Sequence, residues 1–263
     1  MNFFTWNIDP TIFKFGFLQL RWYGLFFVGS FVLGYFIIKK IFKDEGKDTK
    51  SLDDLLLYTL LGAIAGARVV HCLFYEPSYY LSHPFEILYV WKGGLASHGG
   101  MLGVLLVFYI YAKKEKISYM WLLSRMAIPG TIVAASVRFG NFFNSEILGK
   151  ESHLPWAVVF ERVDNIPRHP VQLYEAFSYL AIAAILWIIY KKTNYKFSTK
   201  LLPGVFATLL FSVRFLLEYT KTEQATYSPS LPFTVGQLLS LPFIILGVAW
   251  VIWAYKTTPK EDR

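Results

Sequence analysis

Apolar residues recur along the chain in runs separated by short polar breaks, at 20–40, 53–74, 94–112, 120–140, 171–190, 201–220 and 235–255. Each run approaches the roughly 20 residues that an α-helix needs to cross a hydrocarbon core. The pattern predicts an all-α, polytopic integral membrane protein of about seven transmembrane helices. No linker, low-complexity tract or internal repeat interrupts it, so residues 1–263 are expected to form a single membrane-embedded domain. The longest break, 141–170, carries Pro155, Pro167 and Pro170 among polar groups and is expected to fold as a cap.

The breaks alternate in charge. Those after the first, third, fifth and seventh runs hold Lys39, Lys40, Lys43, Lys47 and Lys50, then Lys113, Lys114 and Lys116, then Lys191, Lys192, Lys196 and Lys200, and last Lys256, Lys260 and Arg263. Cytoplasmic loops carry the excess of lysine and arginine, so these breaks face the cytoplasm and the other breaks, the cap included, face outward. An odd number of spans then leaves the amino terminus outside and the carboxyl terminus inside. The first run is followed, not preceded, by its strongest basic cluster, which predicts a retained span and not a cleaved signal peptide.

Composition agrees, with 55% hydrophobic and 17% charged residues. The net charge of +8 could suit a phosphate backbone, but its distribution among the breaks is that of a topology signal, and no nucleic-acid partner is expected. The single Cys72 lies in an apolar run and reads as a packing residue. Trp22, Tyr23, Trp91, Trp121, Trp187 and Trp253 fall at run boundaries, where aromatic belts form.

Against this background the charges inside or at the ends of runs stand out: Arg68, Arg125, Arg138, Arg214 and Glu218. A charge in a span costs roughly 2.5 to 3.5 kcal/mol on insertion scales unless it meets a partner or a wet cavity, which makes each a functional candidate. Arg125, near the cytoplasmic end of its run, is expected to snorkel to the interface. Arg138 opens a dense polar stretch, RFGNFFNSEILG at 138–149, and shares a helix face with Asn141 at i, i+3. Arg214 and Glu218 stand one above the other at i, i+4, and either neutralise each other or serve a ligand. His98 sits between glycine pairs in GGLASHGG, residues 93–100, where small neighbours leave room beside the ring. Two arginines and a histidine at one membrane face suit an anionic headgroup beside a group able to move a proton, which implies a phospholipid ligand.

The motifs resemble those of the bacterial prolipoprotein diacylglyceryl transferases. RFGNFFNSEILG resembles the family signature, and RWYG at 21–24, WKGGLASHGG at 91–100, RHPVQLYE at 168–175, VRFLLE at 213–218 and VGQLLSLP at 235–242 follow in the family's order. The resemblance implies transfer of the sn-1,2-diacylglyceryl group of phosphatidylglycerol to the lipobox cysteine in the signal peptide of a preprolipoprotein, at the bacterial cytoplasmic (inner) membrane. No cofactor or metal is implied, and the five histidines form no metal-ligand pair in the sequence. The matching positions are Tyr23, His98, Arg138, Asn141, Asn144, Glu146, Gly149, Arg214 and Glu218. Val137 and Ala67 stand where the family usually has glycine, and Lys221 stands where it commonly has arginine.

For such a reaction His98, Arg138 and Arg214 are the expected catalytic residues. The histidine would take the thiol proton and the arginines would hold the phosphate. A phosphate-binding histidine with an arginine-activated thiolate would leave the same sequence. Glu146 and Glu218 are expected to orient the arginines. Asn141 and Asn144 would supply uncharged hydrogen bonds, and Tyr23 would touch the headgroup or belong to the aromatic belt. Two other classes compete. A transporter would show inverted repeats, and an intramembrane serine protease would use Ser97, which as the neighbour of His98 cannot face it on a helix.

Overall fold

A computed structural model describes residues 3–16, 18–222 and 233–263. The chain is helical, with α1 (Trp22–Asp44), α2 (Leu52–Phe74), the short α3 (Pro77–Ser82), α4 (Ser97–Lys114), α5 (Tyr119–Phe143), α6 (Val171–Lys192), α7 (Tyr195–Leu217) and α8 (Val235–Lys256). Among the described residues five short strands accompany them: β1 (Phe4–Trp6), β2 (Thr11–Phe15), β3 (Leu18–Arg21), β4 (Val158–Phe160) and β5 (Pro167–Arg168).

Six helices among the described residues are long and apolar enough to cross a membrane: α1, α2, α5, α6, α7 with its 3-10 extension to Thr220, and α8. The seventh expected run is α4, whose 18 residues at about 1.5 Å each reach roughly 27 Å. It starts at Ser97 and not at 94, because Gly93 and Gly94 hold φ of 88° and 69°, outside the helical region. α1 continues past Lys39 and Lys40 to Asp44, since long lysine stems can leave the apolar layer while the backbone stays helical.

The described chain divides into two compact units, Met1–Ile38 with Ser124–Arg263, and Lys39–Leu123. In the larger unit, Gly34 admits Pro129, the interior proline of α5, at the contact with α1. Gly204 on α7 and Gly247 on α8 face each other so closely that a Cβ on Gly204 would stand 3.0 Å from the Gly247 carbonyl. Small residues that let backbones touch are how helices associate where lipid removes the hydrophobic drive.

The same logic arranges polarity. Leu25, Val32, Leu33, Phe36, Ile245 and Leu246 are exposed, as a lipid-facing surface requires, while Ser124, Thr131, Gln172, Glu175, Ser198 and Ser240 are buried. Thr131 and Ser240 donate their hydroxyls back to Ala127 and Gly236 one turn earlier, at 2.6 and 2.7 Å, so no donor is stranded there. Arg125 is fully buried: Nη2 donates to the Tyr195 carbonyl at 2.9 Å and its guanidinium lies over the Tyr190 ring. It therefore does not snorkel. It holds the first carbonyl of α7 from inside the protein, while the Asn194 side chain caps that helix by accepting from the Lys196 amide.

The 141–170 segment contains β4 and β5. β1 pairs parallel with β4, Phe4 opposite Val158, and β5 pairs antiparallel on the other edge of β4. Trp6 from β1 packs on Phe142 at 4.4 Å between ring centroids and edge-on to Phe143 at 5.0 Å, closing a small core with Val158 and Phe160. β2 and β3 form a separate antiparallel hairpin. Arg168 fastens the cap: its guanidinium reaches both oxygens of Asp164, at 2.6 and 3.3 Å, and donates to the Gly149 carbonyl at 3.2 Å.

The Arg168 hydrogen bond holds the Asp164 carboxyl below the usual carboxylate range. A depressed folded-state value adds stability that is present above the unfolded aspartate range, near pH 4, and is lost as pH falls through the lower folded value. Hydrogen exchange should therefore show backbone protection around 149–168 unchanged between pH 7 and 5 and weakened below about pH 4. Asp164→Asn should remove that acid-side loss.

Candidate active site

The smaller unit is organised around Arg68, only 2% exposed. On α2, it donates from Nε to the Ile87 carbonyl at 3.0 Å, from Nη2 to Glu86 at 2.7 Å, and from Nη1 to Gly93 and Gly94 at 2.6 and 3.3 Å, while lying over the Tyr80 ring. Every edge of this guanidinium is thus spent on backbone carbonyls of the segment between α2 and α4. Arg68 is a structural residue, and Gly94 comes so near that a Cβ there would stand 2.8 Å from its Nη1.

The glycines around His98 are explained in the same way. A Cβ on Gly99 would run into the Gly66 carbonyl, and one on Gly103 into the Gly62 carbonyl, so these residues let α4 lie against α2. They serve helix packing and do not open space beside the imidazole. His98 itself is exposed, in the first turn of α4.

In the larger unit the carboxyl end of α5 carries Arg138, Asn141 and Asn144 into a tight turn. Ser145 and Ile147 both adopt φ of 55°, unusual for any side chain and an outlier for a β-branched one. Such strain persists where surroundings over-determine it. Here Gln172 Nε2 holds the Glu146 carbonyl at 2.6 Å, Thr222 binds the Leu148 carbonyl through its amide and its hydroxyl, and Lys150 N donates to Thr220 O at 2.8 Å. Gly149 bridges to Lys221, and a Cβ on Gly149 would strike the His169 carbonyl. The turn is stitched both to the start of α6 and to the chain beyond α7.

This stitching gathers the charged side chains. Arg138 Nη1 donates to Asn141 Oδ1 at 3.4 Å, Asn141 Nδ2 to Glu146 Oε2 at 3.2 Å, and Asn144 Nδ2 to Glu146 Oε1 at 3.1 Å. Glu146 therefore reaches Arg138 through Asn141 and not directly. Arg138 Nε instead stands 3.0 Å from Oε2 of Glu175 on α6. That oxygen lacks an aligned hydrogen bond among the described residues, so the contact is an ion pair off the hydrogen-bond axis. The other Glu175 oxygen accepts from Lys221 Nζ at 2.8 Å and from the Tyr179 hydroxyl at 3.4 Å.

Glu218, expected to orient Arg214, pairs with Lys221 at 3.4 Å. Its carboxylate rests against Gly236 in the first turn of α8, where the positive end of the helix favours an anion. Arg214, half-buried, makes no ion pair or hydrogen bond among the described residues, yet its charge and that of Arg138 both reach the Tyr179 hydroxyl. Tyr23, half-buried on α1, packs its ring on Gly140, where a Cβ would come within 2.6 Å, and lies in electrostatic range of Glu146 and Arg138. Arg138, Asn141, Asn144, Glu146 and Tyr23 thus form one neighbourhood, Glu218 joins it through Lys221, and His98 belongs to the other unit.

Glu175, Tyr179 and Gln172 were absent from the sequence-derived set. A carboxylate inside the run 171–190 meets the same test that singled out Arg138, so Glu175 had a usable signal. Gln172, like Glu175, lies in RHPVQLYE, one of the motifs that carry the resemblance, whereas Tyr179 had no signal, being unremarkable in an apolar helix.

The family profile described as prolipoprotein diacylglyceryl transferase matches residues 10–253. Proteins named phosphatidylglycerol–prolipoprotein diacylglyceryl transferase are similar over nearly their whole lengths. That of Tolumonas auensis is 46% identical over 95% of this chain and 97% of its own. That of Chloroherpeton thalassium is 44% identical over 99% and 97%, and that of Porphyromonas gingivalis 40% over 97% and 95%. With a match of this extent, six helices among the described residues long and apolar enough to cross a membrane, α4 as a shorter seventh run, and the signature arginine paired with a buried carboxylate, the chain belongs to the prolipoprotein diacylglyceryl transferase family.

Proposed function

We propose that this protein transfers the sn-1,2-diacylglyceryl group of phosphatidylglycerol to the thiol of a lipobox cysteine in a preprolipoprotein, forming a thioether and releasing glycerol phosphate. It does so as a multi-pass protein of the bacterial cytoplasmic membrane, with its amino terminus and cap outside and its carboxyl terminus in the cytoplasm. The lysine-rich breaks support that orientation. The observation that carries the chemistry is Arg214, a half-buried cation with no counter-ion among the described residues, whose field overlaps that of Arg138 at Tyr179.

In the reaction sulfur attacks the glyceryl carbon bonded to phosphate oxygen, and the carbon–oxygen bond breaks with its electron pair going to the phosphate. Arg214 and the edge of Arg138 not engaged by Glu175 bind the phosphate and stabilise the charge that grows on it. Asn141, Asn144 and Glu146 form an uncharged-to-anionic chain behind Arg138 that fixes its tilt and can reach headgroup hydroxyls. Tyr23 lines the same wall, and Gly149 permits the turn that brings Lys221 and Glu218 alongside.

A thiol, with a free pKa of about 8.5, needs a base or positive charge to become nucleophilic near lipid. His98 takes that proton in this reading. It is an exposed imidazole at the start of α4, on the outward side by the lysine bias.

Purified protein given labelled phosphatidylglycerol and a lipobox peptide should place the label on the peptide cysteine. His98→Ala should lower transfer by about 10² to 10⁴, the usual range for a general base. Raising the assay pH toward the thiol's own pKa should recover part of the loss. Full activity of His98→Ala at neutral pH would remove histidine from the mechanism. A cysteine-to-serine peptide should receive no label, because a hydroxyl ionises far less readily than a thiol.

A further inference from the structure

We propose that Glu175 is the positioning residue of the phosphate clamp, its buried carboxylate fixing Arg138 and Lys221 as a pair and turning the free edge of Arg138 toward the lipid phosphate. The inference rests on the transferase reading above and adds to it a residue with a defined task.

Glu175 lies in the second turn of α6 with its side chain fully buried. A carboxylate in such a place is tolerated only when charges and hydrogen bonds surround it. Each oxygen here takes one cation: Oε2 faces Arg138 Nε at 3.0 Å and Oε1 faces Lys221 Nζ at 2.8 Å. The Tyr179 hydroxyl, one turn along α6, adds a third contact at 3.4 Å. Glu175 faces the Nε side of Arg138 while Asn141 accepts from Nη1, so contacts on two sides restrain the planar guanidinium. Lys221 is held equally firmly, by Glu175 and by Glu218 at 3.4 Å.

Glu175 itself is no base for the thiol, since both its oxygens already face cations. It acts through Arg138.

A residue that aims a donor at developing charge affects the transition state more than the bound lipid. Glu175→Gln leaves Arg138 free to swing and makes the site one charge more positive, so phosphatidylglycerol is still drawn in. In the transfer assay with purified full-length protein in phosphatidylglycerol-containing micelles, this variant should show kcat lowered at least tenfold with KM for the lipid unchanged or lower. A merely structural role would reduce the folded fraction and leave kcat per folded molecule intact. Lys221→Gln added to Glu175→Gln should lower kcat little further, because the two act as one unit.

If Glu175→Gln does not fold, Glu175→Asp serves in its place. It keeps the charge, is one methylene short of Arg138, and should lower kcat about tenfold at constant KM. Normal kcat per folded molecule in either variant overturns the inference alone. Absence of transfer by the unmodified protein overturns the transferase reading beneath it.

Discussion

Arg214→Ala is expected to lower diacylglyceryl transfer by roughly 10² to 10³, the loss seen when a single preorganised donor to a developing anion is removed, while leaving the protein folded. The second half of that expectation comes from what Arg214 lacks. It makes no ion pair or hydrogen bond among the described residues, so its removal strands no carboxylate among them. Arg138→Ala should differ in kind. It would lower activity and also leave the fully buried Glu175 with one cation fewer, so melting temperature in detergent should fall as well. Initial rates and thermal melts measured on both variants separate a free clamp arm from an anchored one. Arg214→Ala with activity within threefold of normal would show that the unpaired cation has no part in the reaction.

The second large effect is expected far from any reacting atom. Arg68→Met should destabilise the protein by roughly 3 to 5 kcal/mol, since the carbonyls of Glu86, Ile87, Gly93 and Gly94 would all lose a charged donor in a buried site. For a chain of this size that corresponds to a fall of roughly 6 to 20 °C in melting temperature. Arg68→Lys should rescue little of it, because an ammonium cannot serve carbonyls on several edges of a plane. An unchanged melting temperature for Arg68→Met would mean that the segment between α2 and α4 holds itself. The same residue in a ligand-binding role would give the reverse pattern, a normal melt and poor binding of lipid.

Arg68 also shows where sequence reading reaches its limit. An arginine in an apolar run announces that it must be satisfied, and it does not announce by what. Arg68 and Arg125 are satisfied by backbone carbonyls, Arg138 by Glu175, and Arg214 by nothing among the described residues. Only the folded chain separates these cases, because the carbonyls come from loops with no charge pattern to read. Glu175 was legible by the rule that found Arg138 and was passed over amid the aromatic and apolar residues of its helix. Glu218 keeps the helical i, i+4 hydrogen bond from its amide to the Arg214 carbonyl, yet its carboxylate pairs with Lys221, which the 3-10 turn after α7 brings within 3.4 Å.

The spans themselves were legible because hydrocarbon thickness imposes a length on every apolar run. α6 at 171–192 and α8 at 235–256 fall within two residues of the sequence-based limits. The strands were not. β1 pairs with β4 across some 150 residues of chain, a contact with no local signal. Trp121 likewise read as a belt residue. It is buried and donates to Glu45 Oε2 at 2.6 Å, a partner that hydropathy cannot supply. The glycines of GGLASHGG read as room beside the His98 ring, whereas they are places of close approach, to helix α2 and to the Arg68 guanidinium.

The central claim is that Arg138 and Arg214 together hold a phosphodiester. A structure of the protein with phosphatidylglycerol bound tests it most directly. The account predicts the lipid phosphate within hydrogen-bond distance, about 3 Å, of both guanidinium groups, with Glu175 still on the Nε side of Arg138. A phosphate bound elsewhere, or held by Arg138 while Arg214 turns to a carboxylate of its own, would contradict it.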